Sequence, residues 1–227
     1  MQPEDLSGRG KTGETGFAAV WQKDRRLLRR QQFAGRAAGC NEYYRIKMER
    51  PMEIRKANEA DLDRMMEIYV RAREFMAAHG NPRQWAAAGW PPEALIRKDI
   101  EEARSYVCIG ADGRIVGTFA LLYGKDVEPT YAKIYDGSWY DDSPYGVVHR
   151  IASDGSVHGV GAFCINWAWE QCRHLRMDTH GDNVVMQHLL EKLGFERCGV
   201  IYVEKDNDPR IAYERTDLMD ELWTVIG

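Results

Sequence analysis

No stretch of the 227-residue chain comes near the roughly 18 consecutive apolar residues of a membrane span. The opening residues, MQPEDLSGRGKTGETG, lack the apolar core that a secretory signal carries. Cysteine is scarce. Cys40, Cys108, Cys164, Cys172 and Cys198 are odd in number, and no two have the close spacing of metal ligands. These absences argue against a membrane protein and a disulfide-framed secreted protein, and they point to a reduced, cytoplasmic setting. A surplus of positive charge is missing as well. The formal net charge of −4 speaks against nucleic acid as a partner. No internal repeat is visible.

What charge there is lies unevenly. Residues 1–47 carry 10 Lys and Arg against 5 Asp and Glu, with little apolar periodicity. We read them as a disordered, basic N-terminal extension, with residues 48–227 forming one folded domain. Met48 or Met52 is the expected natural start; a basic arm for an acidic partner is the alternative. Gly8 to Thr12, GRGKT, imitates a phosphate-binding loop. The full pattern needs a glycine where Asp5 stands and a strand before it, so the match is set aside.

From Met52 the elements follow in order. MEIRKA reads as a strand. Asn58, with Asp61 three residues on, caps a helix whose Leu62, Met65, Met66 and Tyr69 recur at helical spacing. Pro92 suits the first turn of a second helix. SYVCIGADGRIVGTFALLY is a hairpin around Asp112-Gly113. After a long polar and aromatic segment, residues 124–145, come a strand (GVVHRIAS), a glycine-bearing turn, and a helix with Ala162, Ile165, Trp169 and Cys172 on one face. LRMDTH is a strand. Asn183 caps a helix striped by Met186, Leu189, Leu190 and Leu193 and ended by Gly194. FERCGVIYV and RIAYE close the domain as a hairpin. The order β-α-α-β-β-β-α-β-α-β-β predicts an α/β (α+β) three-layer αβα sandwich. Its mixed, mostly antiparallel sheet has about seven strands, with one local parallel pair where a helix connects two of them.

The turn Ser156-Val157-His158-Gly159-Val160-Gly161-Ala162 is where chemistry enters. The first N–H groups of a helix have no partner within it, and the dipole is positive there. Glycine removes the Cβ that would hold phosphate oxygens away from them. The turn can therefore cradle a pyrophosphate. Gly159 and Gly161 can equally serve tight packing of helix on sheet, and spacing alone leaves both readings open.

The order of elements, GVVHRIAS followed by SVHGVGA, and LRMDTHGDNVVMQHLLEKLGFERCGVIYV together resemble the GNAT superfamily of acyl-CoA-dependent N-acetyltransferases, over about residues 52–215. The family's loop pattern is Gln/Arg-x-x-Gly-x-Gly/Ala, and Ser156 stands in its first position. Asn183 and Gly194-Phe195 match a second signature. The resemblance implies the acyl-CoA N-acyltransferase fold and acetyl-CoA as acyl donor, with a primary amine as acceptor. It implies that Ser156 to Ala162 hold the pyrophosphate, that a splayed strand offers Ile151, Ala152 and Ser153 to the pantetheine arm, and that Asn183 lies beside the cofactor. An N–H near Ile151 would polarise the thioester carbonyl. Dimers are common in the family, so a homodimer is open.

Amine acylation needs a proton acceptor and a way to quench the thiolate. The tyrosine that many relatives use as acid is Leu190 here. Tyr202 and Tyr213 are the substitutes on the final hairpin. His149 is the preferred base; a strand histidine hydrogen-bonded inside the core is the other reading. Trp90, with Trp85, either roofs an acceptor pocket or fills core. Tyr135 and Trp139, with Tyr140 and the aspartates of their loop, suit a cationic acceptor or form a solvated loop. His174, Asp178, His180 and His188 lack a well-spaced third ligand, so no metal is expected. Two other functions stay in view: a non-catalytic acyl-CoA-binding regulator, and an NAD-binding oxidoreductase with Asp178 on the ribose.

Overall fold

The computed structural model describes residues 52–203 and 208–217. The expected basic extension, residues 1–47, lies outside them. The elements are β1 (Glu53–Lys56), α1 (Leu62–Ala78), α2 (Glu93–Glu101), β2 (Ser105–Ile109), β3 (Ile115–Gly124), β4 (Tyr145–Ser153), α3 (Val160–Cys172), β5 (His174–His180), α4 (Val184–Lys192), β6 (Glu196–Tyr202) and β7 (Pro209–Thr216). This is the order the sequence predicts. Short 3-10 turns, Glu59–Asp61 and Pro129–Ala132, precede α1 and follow β3.

Local chemistry sets the corners. The Asn58 side chain accepts from Ala60 N at 3.0 Å, and Asp61 accepts from Asn58 N at 2.9 Å. That reciprocal cap turns the chain from β1 into α1. Asp61 also takes Arg55 in a two-point ion pair at 2.6 and 2.8 Å, which ties the cap back to β1. Gly113, at φ +82°, makes the β2–β3 turn. Pro92 sits at the N-cap of α2, one residue before the helix proper.

The sheet runs β1-β2-β3-β4-β5-β7-β6, and only β4 and β5 run parallel. Alternation along β4 sorts the layers. Val148 packs with Cys164, Ile165 and Ala168 of α3 and Leu190 of α4. Its neighbour Val147 faces the other side, with Tyr131, Ile201 and Ala212. On that second side α1 and α2 bury Leu62, Met65, Ile68, Tyr69 and Ile96 against Val107 and Ala152. The apolar face of α3 is turned slightly from the expected stripe. Cys164 and Ala168 join Ile165 and Trp169 in the core, while Ala162 and Cys172 are half-buried. Full burial of a side chain such as Ile165 contributes about 1.5–3 kcal/mol.

The long connection after β3 is a second cover for the sheet. Tyr135 exchanges two backbone hydrogen bonds of 2.8 Å with Val200, shielding the β6 edge. Close approach is possible because Gly137 has no Cβ; one there would lie 1.9 Å from the Cys198 carbonyl oxygen. Beneath residues 139–143 lies a buried ionic cluster. His174 Nε2 is 2.6 Å from Glu214 Oε1, Arg176 Nε donates to the same oxygen at 2.8 Å, and Tyr140 N donates to Oε2 at 2.7 Å. The Arg176 guanidinium lies between Trp139 and Tyr145, 4.5 and 4.1 Å from the ring centres. Burial favours a neutral Glu214, but its hydrogen bonds to His174, Tyr140 and Arg176 outweigh that and hold its carboxyl below the ordinary value. Glu214→Ala leaves the Arg176 guanidinium buried without its counter-charge and His174 without its carboxylate partner. We expect it to cost about 3–5 kcal/mol, read as a lowered urea midpoint in equilibrium unfolding.

Candidate active site

β4 and β5 pair at only two rungs, Gly146–Leu175 and Val147–Arg176. A Cβ on Gly146 would lie 2.7 Å from Cys172 Sγ and from Leu175, so glycine lets the strands and α3 meet there. Beyond Val147 the ladder stops, although β4 continues to Ser153 and β5 to His180. β5 is fully paired with β7 on its other side. The edge of β4 that faces β5 is therefore open over residues 148–153, and backbone groups in such a cleft call for a partner.

A bulge shapes this edge. His149 pairs with Ala120 and Ala152 with Thr118, so two residues of β4 oppose the single residue Phe119. Arg150 takes a left-handed conformation at φ +53°. Its carbonyl accepts from the Tyr69 hydroxyl at 3.0 Å, and its guanidinium meets Asp99 at 2.7 Å.

At the end of β4 the chain enters the glycine turn. Gly159 is the N-cap of α3, at φ +81° and with no side-chain cap. The first helical hydrogen bond is Phe163 N to Gly159 O. The amides of Val160, Gly161 and Ala162 thus have no acceptor within the helix. Nothing lies within 4 Å of where a Gly159 Cβ would stand. The two glycines have different tasks. Gly159 makes the turn and leaves the space before it clear. Gly161 faces α4, where its Cβ would come 3.2 Å from Leu189. An uncapped helix terminus behind a clear approach fits a diphosphate. Ser156 is exposed and bound back onto the turn: its amide and hydroxyl donate to Asp154 at 2.9 and 2.6 Å. Arg64 of α1, which also donates to the Ile115 carbonyl, pairs with Asp154 and offsets a negative charge that would oppose phosphate.

The cleft's other wall is polar. Glu128, the cap of the second 3-10 turn, accepts from Thr130 and meets His149 Nε2 at 2.7 Å. A carboxylate only accepts, so Nε2 carries the hydrogen and the lone pair of a neutral ring lies on Nδ1. Burial favours a neutral Glu128, but the His149 hydrogen bond and charge outweigh it and bring the carboxyl down to about 2. The Tyr131 hydroxyl donates to Asp178 Oδ1 at 2.7 Å. Burial pushes Asp178 above its ordinary value, against the opposing influence of His149, the Tyr131 hydrogen bond and Arg210. A strap crosses from the α1–α2 connection: Arg83 reaches Asp182 at 3.0 Å, and Asn183 donates to Gln84 at 3.1 Å while its own oxygen caps α4 through Met186 N.

The remaining candidates are dispersed. Ile151 packs against the α3 side of the core and Ala152 against the α1 side. The strap's own connection carries Trp90, whose carbonyl accepts from Arg73 at 3.2 Å. Trp139 packs in the core and donates its Nε1 hydrogen to the Tyr131 carbonyl at 2.9 Å. Tyr135 and Tyr202 meet edge-on at the β6 edge. Tyr213 is buried on the α3–α4 side, with its hydroxyl 3.5 Å from Glu191. Leu190 is fully buried. A cavity of 590 Å³ between Gly137 and Arg197 lies at the β6 edge, away from the glycine turn. Among the described residues no three ligating side chains gather for a metal, and no helix is long and apolar enough to cross a membrane.

An interrupted parallel pair with an uncapped helix at its mouth defines an acyltransferase scaffold. The chain resembles a GNAT-family acetyltransferase from Streptococcus agalactiae 2603 at 31% identity, over 73% of this chain and 95% of that one, with a TM-score of 0.66. A GNAT-family acetyltransferase from Listeria monocytogenes shares the fold at 16% identity, over 72% of this chain and 94% of that one, with a TM-score of 0.54. No protein-family model matches the sequence, and no curated protein does. The chain belongs to the GNAT family of acetyltransferases.

Glu128 also predicts an acid limit. Its folded value lies below the unfolded 4.5, so its pairing with His149 stabilises the fold above that pH and is lost as pH falls toward about 2. Glu128→Gln should flatten the stability-against-pH curve in that window, measured by urea unfolding at a series of pH values.

Proposed function

We propose that the protein transfers an acetyl group from acetyl-CoA to a primary amine, of a small molecule or of a protein, by direct attack of the amine on the thioester. One observation carries the reading: the β4–β5 pair opens after two rungs onto an uncapped helix whose N-cap, Gly159, leaves clear space before it. Acetyl-CoA supplies an activated acyl carbon; this chain supplies binding, orientation and proton movement. The amides of Val160, Gly161 and Ala162 take the pyrophosphate, with Gly159 at the mouth of the turn and Arg64 offsetting Asp154. The open edge of β4 pairs with the pantetheine arm, and the Ile151 amide stabilises charge on the carbonyl oxygen. His149 Nδ1 takes a proton from the acceptor ammonium, and the amine lone pair so freed attacks the thioester carbon. Glu128 fixes the ring and stabilises the imidazolium, as a carboxylate behind a histidine does. Glu128, held ionised, puts negative charge beside the cleft and suits a cationic acceptor. Trp90, on the strap, is assigned to the acceptor side. Tyr202 and Tyr213 receive no proton-transfer role, because one lies at the β6 edge and the other faces α4. The reading places the protein in the cytoplasm and needs neither nucleic acid nor membrane.

Buried Leu190, in the place of the usual acid, favours one second reading: an acyl-CoA-binding regulator without turnover. Thiol release from acetyl-CoA with a panel of amines separates the two. Amine-dependent release is expected; acetyl-CoA binding with no release across the panel supports the regulator. Preference for NAD in a side-by-side titration defeats both.

Two substitutions test the parts. His149→Gln should lower kcat about 10²–10⁴-fold with acetyl-CoA affinity retained. Gly159→Asp should weaken acetyl-CoA binding roughly tenfold relative to Gly159→Asn. The two share shape and backbone demand and differ in charge, so equal affinities by calorimetry would remove the diphosphate from this site.

A further inference from the structure

Of the five described non-glycine residues with positive φ, Ala103, Asp126, Asp136 and Arg173 lie in turns or at a helix end. Arg150 alone lies within a strand. A left-handed residue with a Cβ costs roughly 1–2 kcal/mol, and it persists only where its surroundings impose it. Those surroundings are specific. Asp99 of α2, 1% exposed, is 2.7 Å from Arg150 Nη2 and is itself held by Arg104 Nε at 2.7 Å. Tyr69 of α1, also 1% exposed, holds the Arg150 carbonyl. Arg150 Nε and Asp99 Oδ2 are both buried without a well-aligned hydrogen bond, so Asp99 holds Arg150 as an ion pair and the arrangement carries a second cost.

The bulge decides which way the next groups point. Simple alternation would send His149 and Arg150 to opposite faces. Instead His149 meets Glu128 and Arg150 meets Asp99, on the side of the sheet that carries α1 and the β3–β4 connection. Alternation then resumes, with Ile151 toward α3 and Ala152 toward α1. The peptide between Arg150 and Ile151, which carries the Ile151 amide, is rotated at this point.

We propose that Asp99 is a positioning residue for acyl transfer: by clamping the Arg150 guanidinium from α2, with Tyr69 on the carbonyl, it keeps the β4 bulge in place and so aims the Ile151 amide and the His149 ring into the cleft. This rests on the acetyl-transfer reading above.

The test uses what glycine can do that alanine cannot. Arg150→Ala and Arg150→Gly both remove the guanidinium, but only glycine adopts the left-handed conformation without strain. With an amine acceptor from the screen, Arg150→Ala and Asp99→Asn should each lose at least about tenfold in kcat, with KM for acetyl-CoA within about threefold of wild type. Arg150→Gly should recover most of the loss seen in Arg150→Ala. Adding Asp99→Asn to Arg150→Gly should lower kcat no further, since the clamp then has nothing to hold. A second readout needs no turnover: in spectra of ¹⁵N-labelled protein, the Ile151 amide should respond differently to acetyl-CoA and to CoA in wild type and Arg150→Gly, and alike in Arg150→Ala. Equal kcat in the alanine and glycine variants, or an Ile151 response unchanged by Arg150→Ala, overturns the clamp. Wild-type protein without amine-dependent thiol release fails the acetyl-transfer reading instead, and the Ile151 comparison still decides the clamp. Should Asp99→Asn not fold, the alanine–glycine pair decides it.

Discussion

Everything at the candidate site depends on a ladder that stops. Parallel strands normally continue their hydrogen bonds as far as both extend, because an unpaired amide in a cleft is costly. Here β4 and β5 share two rungs and then part. Each strand is fully engaged on its outer side, β4 with β3 and β5 with β7, so neither can follow the other without breaking a longer ladder. The separation is therefore imposed by the rest of the sheet. What remains between the strands is a slot with backbone donors and acceptors on one wall. Such a wall suits an extended ligand with amides of its own, and a pantetheine arm is one. The uncapped terminus of α3 lies at the end of β4, where that arm would deliver its diphosphate.

Two kinds of cover keep the slot from collapsing. On one side α3 and α4 close over the apolar face, and Gly161 lets them approach each other near the helix start. On the other side the cover is divided. α1 and α2 lie over the β2–β4 half, and the β3–β4 connection lies over the β5-β7-β6 half, anchored by Tyr135 to β6 and by Tyr140 and Trp139 to the Glu214 cluster. Glu128 and Tyr131 project from the near end of that connection to His149 and Asp178, on the two strands that part. The buried ionic cluster under residues 139–143 is thus joined through the chain itself to Glu128, the carboxylate beside His149. It fixes the segment that carries the carboxylate behind the histidine.

What could be read in advance was local. The cap at Asn58, the Asp112-Gly113 hairpin, the Asn183 cap and the glycine turn are each written in a few adjacent residues, and all formed where expected. The fold followed from their order. The wall opposite the glycine turn was not legible. Glu128 is 21 residues from His149 and Tyr131 is 47 from Asp178, and nothing near either member signals the pair. Arg64 and Asp154 are 90 residues apart. The aromatic loop could not be resolved for a related reason. Its Trp, Tyr and Asp residues have the composition of a binding surface, yet Trp139 spends its ring on Arg176 and its N–H on Tyr131. Composition cannot say whether an aromatic side chain faces a ligand or its own protein. The Arg150 bulge is the hardest case: no glycine marks it, and the buried Asp99 and Tyr69 that meet an arginine in a glycine's conformation lie far away in the sequence.

Leu190 sharpens the chemical argument. A buried leucine on the α4 side removes the usual proton donor from that wall, and Tyr213 on the same side is committed to the core. Titratable groups are instead concentrated across the slot, where burial raises Asp178 while the His149 hydrogen bond and charge outweigh burial and lower Glu128. One carboxylate is held ionised behind a histidine, and the other is drawn toward its neutral form beneath a tyrosine. On the proposed reading, two acids with divided roles beside the His149 ring would supply proton traffic from the acceptor side. On the proposed reading the proton acceptor sits where the amine arrives, and the departing thiolate takes its proton from solvent.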